Sequence, residues 1–256
     1  MRFSVVIPAR YESKRLPGKP LSDIHGQSMI AHVIARSKLS GADGVIVATD
    51  HADIAAEARR HGAESCMTSA HHQSGTDRLT EVVELYRFPD DHIIVNVQGD
   101  EPLIDPRHIA LVAEDLGLCL DSVATLATPI TESKSLFDPN VVKVVFDQNN
   151  RALYFSRAAI PWDREGAVTH DEPLQEQFFR HIGLYAYRAG FLRKFKSWSD
   201  ASVERIERLE QLRILFHGET IHLTVTEKAD SVSVDTIEDL KKVRQMSPDF
   251  FAATFL

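Results

Sequence analysis

Apolar and polar residues follow two different rhythms along this chain, and the change of rhythm organises it. Phe3 to Ile7 is a short continuous apolar run stopped by Pro8, the pattern of a buried strand. From Gln27 to Leu39 the apolar residues Met29, Ile30, Val33 and Ile34 recur at helical spacing. Val45 to Thr49 predicts a second strand, and Ala52 to His61 a helix ended by Gly62. Thr76 to Tyr86 predicts another helix and His92 to Val97 a third strand. Strands alternating with helices of this length imply an α/β fold with a mixed, mostly parallel sheet flanked by helices.

After about residue 120 the rhythm changes. Ser122 to Ile130, Val141 to Phe146 and Ile182 to Ala189 predict strands with few helices between them. Val203 to Phe216 predicts one helix, with Ile206, Leu209, Leu212 and Phe216 on a single face. A strand from Ile221 to Val225 and a helix from about Thr236 follow. Asp235 with Glu238 resembles a helix cap with its reciprocal acid, and Thr236 with Asp239 is the other pairing. Arg164 to Pro173 is polar, holds Gly166 and Pro173, and is expected to be a mobile loop. The expected organisation is a single α/β domain over 1–256 with a smaller β-rich insertion over about 120–200.

Composition narrows the function. The 256 residues carry 29 Lys and Arg against 37 Asp and Glu, a net charge of −8. An acidic chain is a poor nucleic-acid binder, since displacing counterions from phosphates needs a basic surface. It leaves room for a local basic cluster that serves one small anion. Cys66 and Cys119 stand far apart, so neither a disulfide framework nor a Cys-x-x-Cys zinc site is implied, which fits a reducing cytoplasm. No apolar run approaches the roughly 18 residues of a membrane span.

Spacing removes several kinds of site. No two glycines are two or four apart, which excludes the dinucleotide turn, the kinase glycine loop and the serine-hydrolase elbow. Pro20 follows Gly18-Lys19, and Ser13 stands where the first P-loop glycine belongs. No two histidines are four apart, so there is no His-Glu-x-x-His zinc helix, and no Asp-x-Asp metal pair occurs.

The loop from Pro8 to Leu21 is the most informative segment, with Arg10, Lys14, Arg15 and Lys19 directly after the first strand. Ligands of open α/β sheets gather at the carboxyl ends of strands. Gly18 permits close backbone approach, and Pro17 and Pro20 stiffen the loop. Arg10, Arg15 and Lys19 are therefore placed to hold a polyphosphate by charge-assisted hydrogen bonds. In Asn96-Val97-Gln98-Gly99-Asp100-Glu101-Pro102, Asp100 emerges at the same edge, where a carboxylate suits magnesium or a turn. Asp235 suits either a helix cap or a metal. Ser74, Gly75 and Thr76 open a helix that suits an anion, a base edge or simple capping. Local pattern alone leaves Arg157 and His181 as structural partners and Glu210 as an exposed helix acid.

Taken together, these segments resemble the 3-deoxy-manno-octulosonate (Kdo) cytidylyltransferases. Pro8-Ala9-Arg10-Tyr11 and Arg15-Leu16-Pro17-Gly18-Lys19-Pro20-Leu21 match the nucleotide loop of that family. Ala48-Thr49-Asp50, His72 to Thr76, Asn96 to Pro102, Arg180 to Gly183 and Leu209 to Arg213 extend the likeness to about Arg244. Leu153 to Arg157 and Ile160-Pro161-Trp162 share the likeness, and Phe155-Ser156-Arg157, Ile160-Pro161-Trp162 and Glu210-Gln211 are the segments most particular to the octulosonate branch. One departure is Ser233 before Val234-Asp235-Thr236, where the family usually has glycine. Pro248 to Leu256 lies outside the likeness, and either frays or packs at an interface.

The resemblance implies a nucleotide-diphospho-sugar transferase-like fold and transfer of CMP from CTP to the anomeric hydroxyl of Kdo, for lipopolysaccharide assembly. An 8-amino octulosonate or another sugar acid is the alternative acceptor, and a non-catalytic nucleotide-binding regulator the remote one. The resemblance further implies that Arg10, Arg15 and Lys19 hold the triphosphate and that Asp100 and Asp235 hold Mg2+, these five forming the catalytic set. Pro8, Ala9, Gln73, Ser74, Gly75 and Arg78 would complete the CTP site. Gln98, Arg157, His181, Tyr185, Glu210 and Gln211 would line the sugar pocket. It also implies a cytoplasmic homodimer, the insertion binding sugar and forming the dimer, with neither nucleic acid nor membrane as partner.

Overall fold

The computed structural model describes residues 2–12, 15–72, 74–164, 174, 177–227 and 233–251. The loop expected over Arg164 to Pro173 lies outside the described residues apart from Arg164, as do the final residues 252–256.

The first half follows the alternation. It runs β1 (Phe3–Ala9), the short hairpin β2 (Asp23–Ile24) and β3 (Gln27–Ser28), α1 (Met29–Leu39), β4 (Gly44–Thr49) and α2 (Ala52–Arg60). Then come β5 (Glu64–Met67), α3 (Gly75–Leu85), β6 (Ile93–Asn96) and α4 (Pro106–Leu118). The second half holds β7 (Val123–Pro129), α5 (Ser133–Phe137), β8 (Lys143–Phe146), β9 (Ala152–Ser156), β10 (Phe179–Arg188) and α6 (Ala189–Phe195). It closes with α7 (Ser202–Glu207), α8 (Leu212–Phe216), β11 (His222–Val225) and α9 (Ile237–Gln245).

The central sheet has the order β11-β7-β10-β6-β1-β4-β5. Along that path β10 alone runs antiparallel to its neighbours, so the mixed, mostly parallel sheet is observed. β7 and β10 are laid into the sheet itself, while β8 and β9 form a small hairpin hung on β10. Side chains of β1 alternate between two cores, as period two requires. Val5 and Ile7 pack with Ile30 and Val33 of α1 and Ile109 and Val112 of α4. Val6 packs on the other face, with Leu79 and Val82 of α3 and Leu192 of α6.

Several elements depart from the pattern reading. β1 continues through Pro8 to Ala9. β6 pairs with β1 only from Phe3 to Val6, so at Pro8 a missing N–H removes no bond to β6. α4 stands outside the predicted elements: Asp105 caps it, Pro106 occupies its first turn, and Ile109, Val112 and Leu116 face the core. The single helix over 203–216 is in fact two. Arg208 adopts a left-handed conformation that ends α7, and α8 begins only at Leu212. Leu209 and Leu212 are buried, whereas Ile206 and Phe216 are 81% and 59% exposed, so their helical spacing was coincidental. Phe251, in the tail, packs beside Val234, Leu240 and Val243.

The last helix is capped by Thr236, not by Asp235. The Thr236 hydroxyl accepts from Asp239 N at 3.1 Å and the Asp239 carboxylate accepts from Thr236 N at 3.0 Å. That leaves the Asp235 side chain free of capping duty. Thr236→Ala is expected to lower unfolding stability in urea by about 1 kcal/mol, and Thr236→Ser to restore most of it.

Candidate active site

Because β6, β1 and β4 run in one direction, their carboxyl ends share an edge, and a cleft of about 860 Å3 opens there. Pro8, Ala9, Arg10, Arg15, Lys19, Ser74, Gly75, Arg78, Gln98, Asp100 and Asp235 all reach it. Gln73 falls outside the described residues.

The loop after β1 is fixed by its own backbone. Gly18 N donates to Tyr11 O at 3.1 Å, and Gly18 sits at φ 67°, where a side chain would be strained. This folds the loop back and starts the 3-10 turn Lys19–Leu21. The Tyr11 ring stacks on His51, centroids 4.0 Å apart. Tyr11 N donates to Asp50 Oδ1 at 3.3 Å, and Asp50 Oδ2 accepts from Arg78 Nη2 at 2.9 Å. Arg78 is almost wholly buried and also donates to Thr68 Oγ1, so it forms the back wall of the cleft and braces the loop through Asp50.

The loop after β6 runs hard against the end of β1. A Cβ at Gly99 would stand 3.0 Å from Pro8 O, so only glycine fits without moving backbone. That close approach puts Asp100 beside Lys19. Val234 N then donates to Asp100 O at 2.9 Å, and this bond carries the neighbouring Asp235 to the same point, with serine at 233. Lys19 Nζ lies 2.6 Å from Asp100 Oδ2 and 3.2 Å from Asp235 Oδ1. Arg15 Nη2 adds a contact to Asp235 Oδ1 at 3.1 Å. Two carboxylates thus share one ammonium, half shielded from water. Next in sequence, burial pushes the Glu101 carboxyl up to about 8, helped by the charge on Asp100.

A second cavity, of about 180 Å3, adjoins the cleft, and Gln98 lines both. Ser74 Oγ, which also caps α3, donates to Glu210 Oε1 at 3.1 Å across the boundary. Gln98, His181, Tyr185, Glu210 and Gln211 line this cavity together. Among the described residues, Asn96 Oδ1, Tyr185 Oη and Gln211 Nε2 are buried there without a hydrogen-bond partner, which marks a place for a polar ligand. Burial pushes the His181 imidazole down to about 3, so the ring is neutral. Thr125 has one hydroxyl proton and offers it to the Ile182 or Leu184 carbonyl, so it accepts from His181 Nε2 at 3.1 Å. Nδ1 of His181 is left as an acceptor. Burial raises Tyr185 and Tyr187, so both phenols stay protonated.

Glu210 is no exposed helix acid. It sits in the break between α7 and α8, and burial raises its carboxyl, tempered by the Thr76 and Ser74 hydroxyls. Arg157 lies outside the linings of both cavities. Its Nε donates to Glu207 O at 2.8 Å and its Nη1 to Pro139 O at 2.9 Å, while Lys143 Nζ holds its carbonyl at 2.6 Å. Pattern gives no role to Tyr11, His51, Asn96 or Tyr187, all of which line the two cavities. Asn96 carried the one usable signal, a polar residue ending an apolar strand.

A family model described as cytidylyltransferase matches residues 4–221. The 3-deoxy-manno-octulosonate cytidylyltransferase of Yersinia pseudotuberculosis serotype O:1b is 55% identical over 244 residues, 95% of this chain and 98% of the relative. The enzyme of the same name from Serratia proteamaculans is equally similar over the same shares. Among solved structures, CMP:2-keto-3-deoxy-manno-octonic acid synthetase complexed with CTP superposes with a TM-score of 0.86 at 38% identity, over 95% of this chain and 97% of that one. A thymidylyltransferase structure from Bacillus anthracis, at 16% identity and TM-score 0.64 over 96% of each chain, shares the fold.

The buried neutral His181 makes stability depend on pH. Unfolded, the ring takes a proton near 6.5; folded, it resists protonation until about 3. Within that window the unfolded chain binds the extra proton, so stability falls as pH falls, by about 1.4 kcal/mol per pH unit from this residue. Urea midpoints measured across the window should show that slope, and His181→Gln should flatten it.

Proposed function

Because the chain belongs to the cytidylyltransferase family and, within it, to the 3-deoxy-manno-octulosonate cytidylyltransferases, we propose that it joins CMP to Kdo at the junction of the two cavities. The reaction transfers CMP from CTP to the anomeric hydroxyl of Kdo and releases pyrophosphate, the activation step for lipopolysaccharide assembly. The observation that supports this placement is the pairing of unlike cavities that meet at Gln98. One is rich in cations and carboxylates, and the other is uncharged apart from Glu210.

In this reading Arg10, Arg15 and Lys19 bind the triphosphate in the cleft, with Pro8, Ala9, Ser74 and Gly75 shaping its walls. Gln73 joins them on the strength of the family resemblance. Arg78 acts from behind, by holding Asp50 and through it the Tyr11 backbone. Gln98, His181, Tyr185, Glu210 and Gln211 bind the sugar acid. Their unpartnered polar atoms and the His181 acceptor suit hydroxyl groups. Arg157 reaches the sugar only by giving up its carbonyl partners, and otherwise braces the 120–200 region against Glu207. That region supplies Arg157, His181 and Tyr185, and forms the homodimer of a cytoplasmic enzyme.

Asp100 and Asp235 fit magnesium, since they present hard oxygen donors and already converge on a cation, the Lys19 ammonium. Bound there, the ion supplies Lewis-acid polarisation of phosphate and sugar oxygens. The chain's own residues do the rest by positioning and charge. The sugar oxygen forms a bond to the α-phosphorus while the bond from that phosphorus to the pyrophosphate oxygen breaks in line. Lys19 and Arg15 stabilise the charge that builds on pyrophosphate, which can take up the hydroxyl proton.

Pyrophosphate release should be rapid with CTP and Kdo, and slow with CTP and neuraminic acid or with UTP and Kdo. Comparable rates with neuraminic acid would overturn the acceptor assignment, and a faster rate with 8-amino-Kdo would move it to the amino sugar. Asp100→Asn and Asp235→Asn should each lower turnover by about 100-fold or more, with unchanged circular dichroism. Lys19→Ala should raise the KM for CTP and lower kcat, and a variant with both unchanged removes Lys19 from the leaving-group role.

A further inference from the structure

β7 and β11 run parallel to β6 and β1, so their amino ends lie at the edge of the sheet opposite the cleft. The turn from α4 into β7 carries Cys119 and Asp121, and β11 opens on His222. One donor atom from each of these three residues lies within 4.8 Å of the other two. The His222 ring is held between two carboxylates, with Nδ1 3.6 Å from Asp121 Oδ2 and Nε2 3.3 Å from Asp115 Oδ2. Asp115 Oδ2 is buried and has no hydrogen-bond partner of normal geometry. The other oxygen of Asp121 is taken by the Thr220 hydroxyl, and Arg151 Nε stands 3.5 Å from it. Arg188 pins the turn from beneath, donating to the carbonyls of Leu116, Cys119 and Asp121 at 3.0, 3.0 and 3.1 Å.

We propose that Cys119, Asp121 and His222 form a binding site for a divalent transition ion of the zinc type, distinct from the catalytic cleft. A thiolate, an imidazole and a carboxylate are the donor set that selects zinc over magnesium. His222 ligates through Nδ1, and Nε2–H donates to Asp115, the carboxylate–histidine–metal arrangement that fixes ring orientation. Water fills the fourth position. The Cys119 thiol, now directed at Leu116 O 3.7 Å away, turns inward and gives its proton to solvent as the metal–sulfur bond forms. Thiolate and carboxylate then balance the two charges of the ion. Bond lengths of about 2.0–2.3 Å put tetrahedral ligand atoms about 3.3–3.8 Å apart, so closure needs a shift of about 1 Å. The exposed side of the turn permits it. The ion ties the start of β11 to the entry of β7.

The test uses the full chain, stripped with a chelator and dialysed against zinc, with metal content measured by mass spectrometry. Wild type should retain one more zinc than Cys119→Ser or His222→Gln, and zinc should raise Tm more in wild type than in either variant. Asp115→Asn should keep the stoichiometry and weaken affinity about tenfold or more. Cobalt in place of zinc should give a thiolate-to-cobalt charge-transfer band that Cys66→Ser retains and Cys119→Ser loses. Turnover with magnesium should be unchanged in Cys119→Ser, which lies at the far edge of the sheet. Equal zinc content in wild type and Cys119→Ser, or no charge-transfer band in wild type, overturns the proposal and leaves His222 as an ion-pair bridge between carboxylates.

Discussion

Lys19 Nζ lies 2.6 Å from Asp100 and 3.2 Å from Asp235, and three distant parts of the chain must meet for those contacts to form. Lys19 arrives because Gly18 turns the first loop back on Tyr11. Asp100 arrives because Gly99 lets the loop after β6 lie against the carbonyl of Pro8. Asp235 arrives because Val234 bonds to the Asp100 backbone and Thr236, rather than Asp235, caps the last helix. Two carboxylates this close are tolerable only with a cation between them. The ammonium fills that need, and a divalent ion proposed for the same oxygens would compete with it directly.

The smaller cavity, proposed for the sugar acid, follows the opposite logic. Its His181 is neutral, its phenols are protonated, and Glu210 is desolvated against Ser74 and Thr76. In the proposed function, recognition there would rest on hydrogen bonds to the Asn96, Tyr185 and Gln211 atoms, where the wrong pattern of hydroxyls would leave a buried polar group unmet. The Ser74–Glu210 bond ties the wall of the cleft to the wall of the cavity.

The α/β order and the basic loop were legible because periodicity and charge are local signals. The convergence of Asp100 and Asp235 was legible only as two candidate aspartates, since no spacing rule foretells the Val234–Asp100 backbone bond. Resemblance named Glu210 and Gln211, while pattern put Glu210 on an exposed helix face, because a left-handed Arg208 leaves no mark on apolar spacing. Arg157 shows the converse. Resemblance put it in the sugar pocket, and its guanidinium is engaged with the carbonyls of Glu207 and Pro139. Bracing residues such as Arg78 and Lys143 read as ordinary cations in the sequence, because burial depends on contacts far along the chain.

In the proposed function the Lys19 ammonium holds the place of a divalent cation between Asp100 and Asp235. Manganese binding to the nucleotide-free protein, followed by electron paramagnetic resonance in wild type, Lys19→Met, Asp100→Asn and Asp235→Asn, tests it most directly. Binding should be tighter in Lys19→Met, where the competing charge is gone, and weaker in both asparagine variants. Equal affinity across all four proteins would contradict it.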